Sequence, residues 1–222
     1  MNTVDLRRAR IKICCMSSVD DVRIAVRAGA DALGFVSAMP SGAGIISEEL
    51  IGELIPIVPP PVATFLLTSE TDATRIVAQQ RRCGANTIQL VDRVNDSVRT
   101  LLCRQLPGVK IVQVIHVTGP QSVDEAISVQ ETADALLLDS GNQSLAVKEL
   151  GGTGRVHDWR LSAEIREKVR IPVFLAGGLN PDNVRDAIEA VRPYGVDVCS
   201  GLRTEGKLDA GKVAAFVDAV MP

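Results

Sequence analysis

Aromatic residues are scarce in this sequence: four Phe, one Tyr and one Trp make up 3% of 222 residues. The interior must therefore be built from Val, Ile, Leu and Ala, which fill buried parallel strands and the helices that cover them. No apolar run reaches the roughly 18 residues of a membrane span. Met1–Arg10 is polar and basic and lacks the apolar segment of a secretory signal. Net charge is only −3 and no long basic run occurs, so nucleic acid, whose phosphates need clustered Lys and Arg, is not an expected partner. The cysteines (Cys14, Cys15, Cys83, Cys103 and Cys199) are odd in number and match no zinc spacing. A cytoplasmic protein with reduced thiols, no metal and no membrane contact is expected.

What the sequence does contain is an unbroken alternation. Short apolar runs stand at Ile11–Cys15, Ala32–Val36, Val62–Leu67, Thr87–Val91, Val109–Val117, Ala133–Leu138, Val173–Ala176 and Val196–Cys199. These read as strands. Amphipathic stretches with helix-start signals lie between them. Ser18, Ser47 and Thr71 open three, Asn95 or Asp96 a fourth, and residues 121–130, 159–169 and 182–191 follow. Asn180-Pro181 sets a cap residue before Pro, and Asp209 begins the last helix. Strict alternation requires parallel strands joined by crossovers, in a closed barrel or an open doubly wound sheet. An open dinucleotide-binding sheet wants G-x-G-x-x-G after its first strand, and Met16-Ser17-Ser18 stands there instead. The expectation is a single (β/α)8 barrel, a TIM barrel, over residues 1–222 with no linker dividing it.

Barrels of this kind commonly hold a phosphate group on the loops after strands seven and eight. Here those loops carry Gly177-Gly178 and Ser200-Gly201. Glycine lets backbone amides approach an anion, and a serine hydroxyl adds a donor. One glycine pair alone is equally a tight turn; two such loops at the matching strands favour a phosphorylated small-molecule substrate. Catalytic groups belong at strand C-termini. Lys12 and Cys14 share one face of strand one by alternation, and a lysine there belongs in the barrel mouth. An ammonium beside Cys14 is expected to lower the thiol's pKa and make it a base, against the reading of a small buried hydrophobe. Asp139 follows three leucines; burial would raise its pKa and suit it to act as an acid, against a plain loop turn. Asp158 reads as a helix cap after the Gly151-Gly152-Thr153-Gly154 stretch, and His116 and His157 as structural or solvated.

Lys12-Ile13-Cys14, Ala28–Val36, Leu136–Ser140, Gly151–Gly154 with Asp158-Trp159, Leu175–Leu179 with Pro181 and Asn183, and Arg192–Gly201 together resemble the phosphoribosylanthranilate isomerase family, in order from about residue 11 to 220. The resemblance implies an Amadori rearrangement of N-(5′-phosphoribosyl)anthranilate in tryptophan biosynthesis. It gives Asp139 as general acid, Cys14 as general base, and Gly177, Gly178, Ser200 and Gly201 as phosphate loops. It implies no cofactor and no metal, and leaves monomer and homodimer both open. Three departures stand out. Pro40–Ile46 lacks the Arg that the family commonly carries after strand two, Gln89-Leu90-Val91-Asp92 lacks the His of its strand-four motif, and Cys15 replaces a Gly. Lys12 is a candidate substitute cation. A divergent isomerase of another phosphorylated aminosugar, or a non-catalytic barrel binding a phosphorylated metabolite, fits the same residues.

Overall fold

The computed structural model describes residues 8–141 and 156–221, so the Gly151-Gly152-Thr153-Gly154 stretch lies outside the described residues. The strands are β1 (Arg10–Ile13), β2 (Ala32–Val36), β3 (Ala63–Thr68), β4 (Thr87–Leu90), β5 (Lys110–His116), β6 (Ala135–Asp139), β7 (Val173–Leu175) and β8 (Gly195–Val198). They alternate with α1 (Val19–Arg27), α2 (Glu48–Leu54), α3 (Ala73–Cys83), α4 (Asp96–Gln105), α5 (Gln121–Val129), α6 (Trp159–Lys168), α7 (Val184–Val191) and α8 (Ala210–Val220). The strands pair in parallel in chain order and close into a barrel. The closing seam runs from Arg10 opposite Gly195 to Ile13 opposite Val198. No helix among the described residues is long and apolar enough to cross a membrane.

Two shells of apolar side chains hold the barrel. Outward residues such as Ile11, Ile13, Leu33, Leu136 and Val196 meet the helices. Inward residues, among them Val36, Phe65, Val112, Val114, Leu137 and Phe174, fill the interior. Most strands are therefore apolar on both faces, the pattern of a parallel sheet buried on each side. Half of the few aromatics lie inside, where Phe174 meets Phe65 and Tyr194 edge to face at 5.9 and 5.3 Å. Such pairs add specificity beyond their buried area.

The structure shifts several expected boundaries. Cys14–Cys15, Val91, Ala176 and Cys199 lie beyond their strands; these residues, all buried except the half-buried Cys199, fill the barrel mouth instead of extending the ladder. Helix α3 is capped by Asp72, not Thr71, because the Asp72 carboxylate accepts from the Arg75 amide at 3.0 Å. Helix α7 begins after a turn in which the Asn180 side chain accepts from the amides of Asp182 and Asn183. A short hairpin of β9 (Arg203–Thr204) and β10 (Lys207–Leu208) follows β8 and was not expected. Its polar sequence carries no alternation that could reveal it.

Candidate active site

Strand β1 brings Lys12 and Cys14 into the barrel, as alternation requires. The Lys12 side chain is fully buried, with its ammonium 2.8 Å from Asp197 Oδ1 on β8 and 5.1 Å above the Phe65 ring. Burial works against its charge, but Asp197 and the Cys14 sulfur outweigh that and hold its pKa above the ordinary lysine value. A side chain at Gly34 on β2 would come within 2.6 Å of the Cys14 sulfur and 3.2 Å of the ammonium. The glycine thus leaves the room that both groups occupy. Lys12 does not line the pocket; it lies beneath it with its charge engaged by Asp197.

The Cys14 thiol departs from expectation. Burial pushes its pKa up to about 11; the Lys12 ammonium pulls the other way and loses, and Asp197 adds to the rise. A salt-bridged ammonium is half spent on its carboxylate, so it cannot repay the desolvation of a thiolate. In the free protein Cys14 is therefore a neutral thiol. Iodoacetamide at pH 8 is expected to label the exposed Cys103 and spare Cys14, of which only about one molecule in a thousand is ionised at that pH. Labelling of Cys14 should climb with pH up to about 11. Alkylation of Cys14 as fast as Cys103 at pH 8, read by peptide mass spectrometry, would contradict this assignment.

Asp139 ends β6 and is also buried. Burial raises its pKa, and the nearby Asp197 adds to this. The Ser140 amide at 2.7 Å, the His116 imidazole and Lys12 oppose the rise without cancelling it. Cys14, Asp139, Gly177, Gly178, Asp197 and Ser200 line one pocket at the C-terminal mouth of the barrel, together with Ser41, Gly42 and Ala43 of the loop after β2.

The loop after β7 takes positive φ at both glycines, +86° at Gly177 and +65° at Gly178, which other residues rarely adopt. Asn183 fixes it: its side chain donates to the Gly178 carbonyl at 3.0 Å and accepts from the Asn180 amide at 2.9 Å. Among the described residues no group accepts a hydrogen bond from the backbone amides of Gly177, Gly178 or Ser200. Amides left open beside a helix start suit an anion. Gly201 does not line the pocket. A Cβ there would overlap the Leu179 carbonyl, so its place is to let the two loops pack together.

The comparisons with known proteins bear on this geometry. The model of N-(5'phosphoribosyl)anthranilate (PRA) isomerase matches residues 11–219. The chain belongs to that isomerase family. It is 37% identical to N-(5'-phosphoribosyl)anthranilate isomerase 2 of Methanosarcina mazei over 94% of this chain and 92% of that relative. The solved phosphoribosyl anthranilate isomerase of Thermotoga maritima superposes with a TM-score of 0.82 at 29% identity, over 96% of this chain and 98% of the other. Another solved isomerase, in complex with reduced 1-(o-carboxyphenylamino)-1-deoxyribulose 5-phosphate, superposes at 0.79 with 28% identity and covers 96% of this chain and 98% of its own.

Sequence reasoning missed three residues that shape this family site. Asp197 was detectable, since a carboxylate in the apolar β8 run mirrors the lysine in β1. Arg203 on β9 donates to the carbonyls of Cys14 and Cys15, so it anchors the loop that carries the thiol; nothing in the sequence marks it. His116 is buried at the end of β5, opposite Asp139 in register, with Nε2 3.1 Å from the Val91 carbonyl. Only the inward phase of β5, shared with Val112 and Val114, points to that placement. The expected reduced state also needs correction: Cys15 and Cys199 are disulfide-bonded, and Cys14, Cys83 and Cys103 are free. The physical reason is adjacency across the seam. Residues 184 apart in sequence stand with their Cα atoms 6.0 Å apart, because β1 and β8 are neighbours.

Proposed function

We propose that this chain converts N-(5′-phosphoribosyl)anthranilate to 1-(2-carboxyphenylamino)-1-deoxyribulose 5-phosphate, the Amadori step of tryptophan biosynthesis. One observation carries the reading: a buried thiol and a buried carboxyl group line one pocket, whose rim holds the Gly177-Gly178 turn and Ser200 with their amides open. That arrangement suits a substrate with a phosphate at one end and two proton transfers in its middle.

Asp139, whose protonated form burial favours, gives its proton to the ribose ring oxygen as the C1′–O bond breaks. The lone pair of the anthranilate nitrogen forms the C=N bond, leaving a cationic Schiff base. That new positive charge lies in the same pocket as Cys14 and lowers the thiol's pKa, so the base becomes available once the acid has acted. Cys14 gives its thiol proton to solvent at the pocket mouth, and the resulting thiolate removes the C2′ proton; the C–H electron pair becomes the C1′=C2′ bond and the C=N pair returns to nitrogen. The enol then tautomerises to the ketone. Gly177, Gly178 and Ser200 hold the phosphate, Gly201 sets their spacing, and Lys12 acts through its pairing with Asp197 rather than by touching the phosphate.

The test is the loss of substrate fluorescence when phosphoribosylanthranilate meets the purified protein. Decay no faster than in buffer would end the reading. Ser200→Asp sets a carboxylate against the phosphate, and KM should rise about ten- to hundredfold, with kcat changing less. An unchanged KM would count against the phosphate site.

A further inference from the structure

The Cys15–Cys199 pair takes no part in the proton transfers, yet both residues stand in the wall of the pocket. Cys15 follows the base Cys14 directly. Cys199 precedes Ser200 and its carbonyl accepts from the Leu202 amide at 3.2 Å, which closes the short turn over Ser200–Leu202. The bond therefore ties the loop carrying the base to the loop offering the Ser200 amide. Cys15 also holds φ at +66°, a left-handed conformation that favours glycine. A cysteine kept there needs a restraint, and the cross-link supplies one. The other two free cysteines outside the site, Cys83 on α3 and Cys103 on α4, offer no such pairing.

We propose that Cys15 and Cys199 form a thiol–disulfide exchange site for low-molecular-weight disulfides and thiols, whose oxidised state preorganises the phosphate turn. This rests on the phosphate reading given above. In the oxidising direction the half-buried Cys199 attacks a small disulfide, releasing one small thiol and forming a mixed disulfide. Cys15 then displaces the second small thiol. Two protein thiols lose two electrons and two protons, and the small disulfide gains both. Reduction by a small thiol reverses each step. With the link open, Cys15 can leave its left-handed conformation and the turn at Ser200 loses its tether, so the anion must order that turn on binding.

The test compares protein equilibrated with oxidised glutathione and with dithiothreitol. Denatured samples should titrate three thiols after oxidation and all five after reduction. Dissociation constants for inorganic phosphate and KM for phosphoribosylanthranilate are then measured on each form. Reduction should weaken phosphate binding and raise KM, each about fivefold, with kcat within about twofold. Cys199→Ser, which removes the attacking thiol, should show the reduced-form affinity under both treatments, and Cys103→Ser should keep the full response. Equal phosphate affinity in two forms verified by thiol count, tighter binding by the reduced form, or a count that stays at five after oxidation would each overturn the proposal. Phosphate binding and thiol counting need no turnover. Protein that shows the affinity difference but no isomerisation in either state would uphold the exchange site and reject the proposed reaction.

Discussion

Asp139→Asn is expected to lower kcat/KM by about 10²- to 10⁴-fold, the usual contribution of a positioned acid, while leaving the protein at least as stable at neutral pH. The two effects have one cause. Burial raises the pKa of this carboxyl group above its ordinary value, so its charged form is worse off folded than unfolded. Stability from such a group is fully present below the unfolded pKa and is lost as pH rises through the folded one. Asparagine carries no proton to lose and can still accept from the Ser140 amide, which now bonds Asp139 Oδ1 at 2.7 Å. The melting temperature of the variant, relative to the parent, should therefore be highest near pH 7 and converge on it toward pH 4. A clear fall in melting temperature at pH 7 would mean that the ionised carboxylate is a stabilising partner of His116 or Lys12, contrary to this account. Cys14→Ala should also lower kcat/KM by about 10²- to 10⁴-fold, because both proton transfers lie on the reaction path.

Asp197→Ala should be the most destabilising single change in the barrel interior. Its partner Lys12 is completely buried, and the two make a 2.8 Å ion pair. Removing the carboxylate leaves an ammonium with no anion of its own strand layer, at a cost of about 3–5 kcal/mol. In a chain of this length that is a fall of roughly 10 °C in melting temperature. Replacing both partners, Lys12→Met with Asp197→Leu, should recover most of the loss, since an apolar pair has no charge to desolvate. A double-mutant cycle from thermal melts measures the coupling. A drop of less than about 2 °C in Asp197→Ala would show that another group or water compensates Lys12. The single variant should also ease ionisation of Cys14, because Asp197 contributes to holding that thiol up.

The barrel was legible because its signal is repeated. Each apolar run followed by a capped helix says the same thing, and errors of a residue or two at Cys14–Cys15 or Ala176 do not disturb the order. The buried carboxyl group and the turns at the pocket mouth were legible for a local reason: Asp139 after three leucines, the glycine pair beyond strand seven and Ser200-Gly201 beyond strand eight are unusual within their own few residues. The ionisation of Cys14 was not, because it depends on how much of the Lys12 charge is already engaged by a residue 185 positions away. The Cys15–Cys199 bond escaped for the same reason. The hand that Arg203 lends to the thiol loop depends on a hairpin with no sequence signature.

The closing seam between β1 and β8 carries the ion pair and leads directly into Cys14 and Ser200 of the pocket wall. During translation the base-bearing strand leaves the ribosome first, and its inner lysine has no counter-charge until the eighth strand arrives. In the emerging chain that ammonium keeps its water, and any partial cylinder that buried it without Asp197 would leave its charge unpaired, so ring closure is favoured. Turnover then reports completed assembly: a half-made molecule has neither a pocket nor a grip on its substrate.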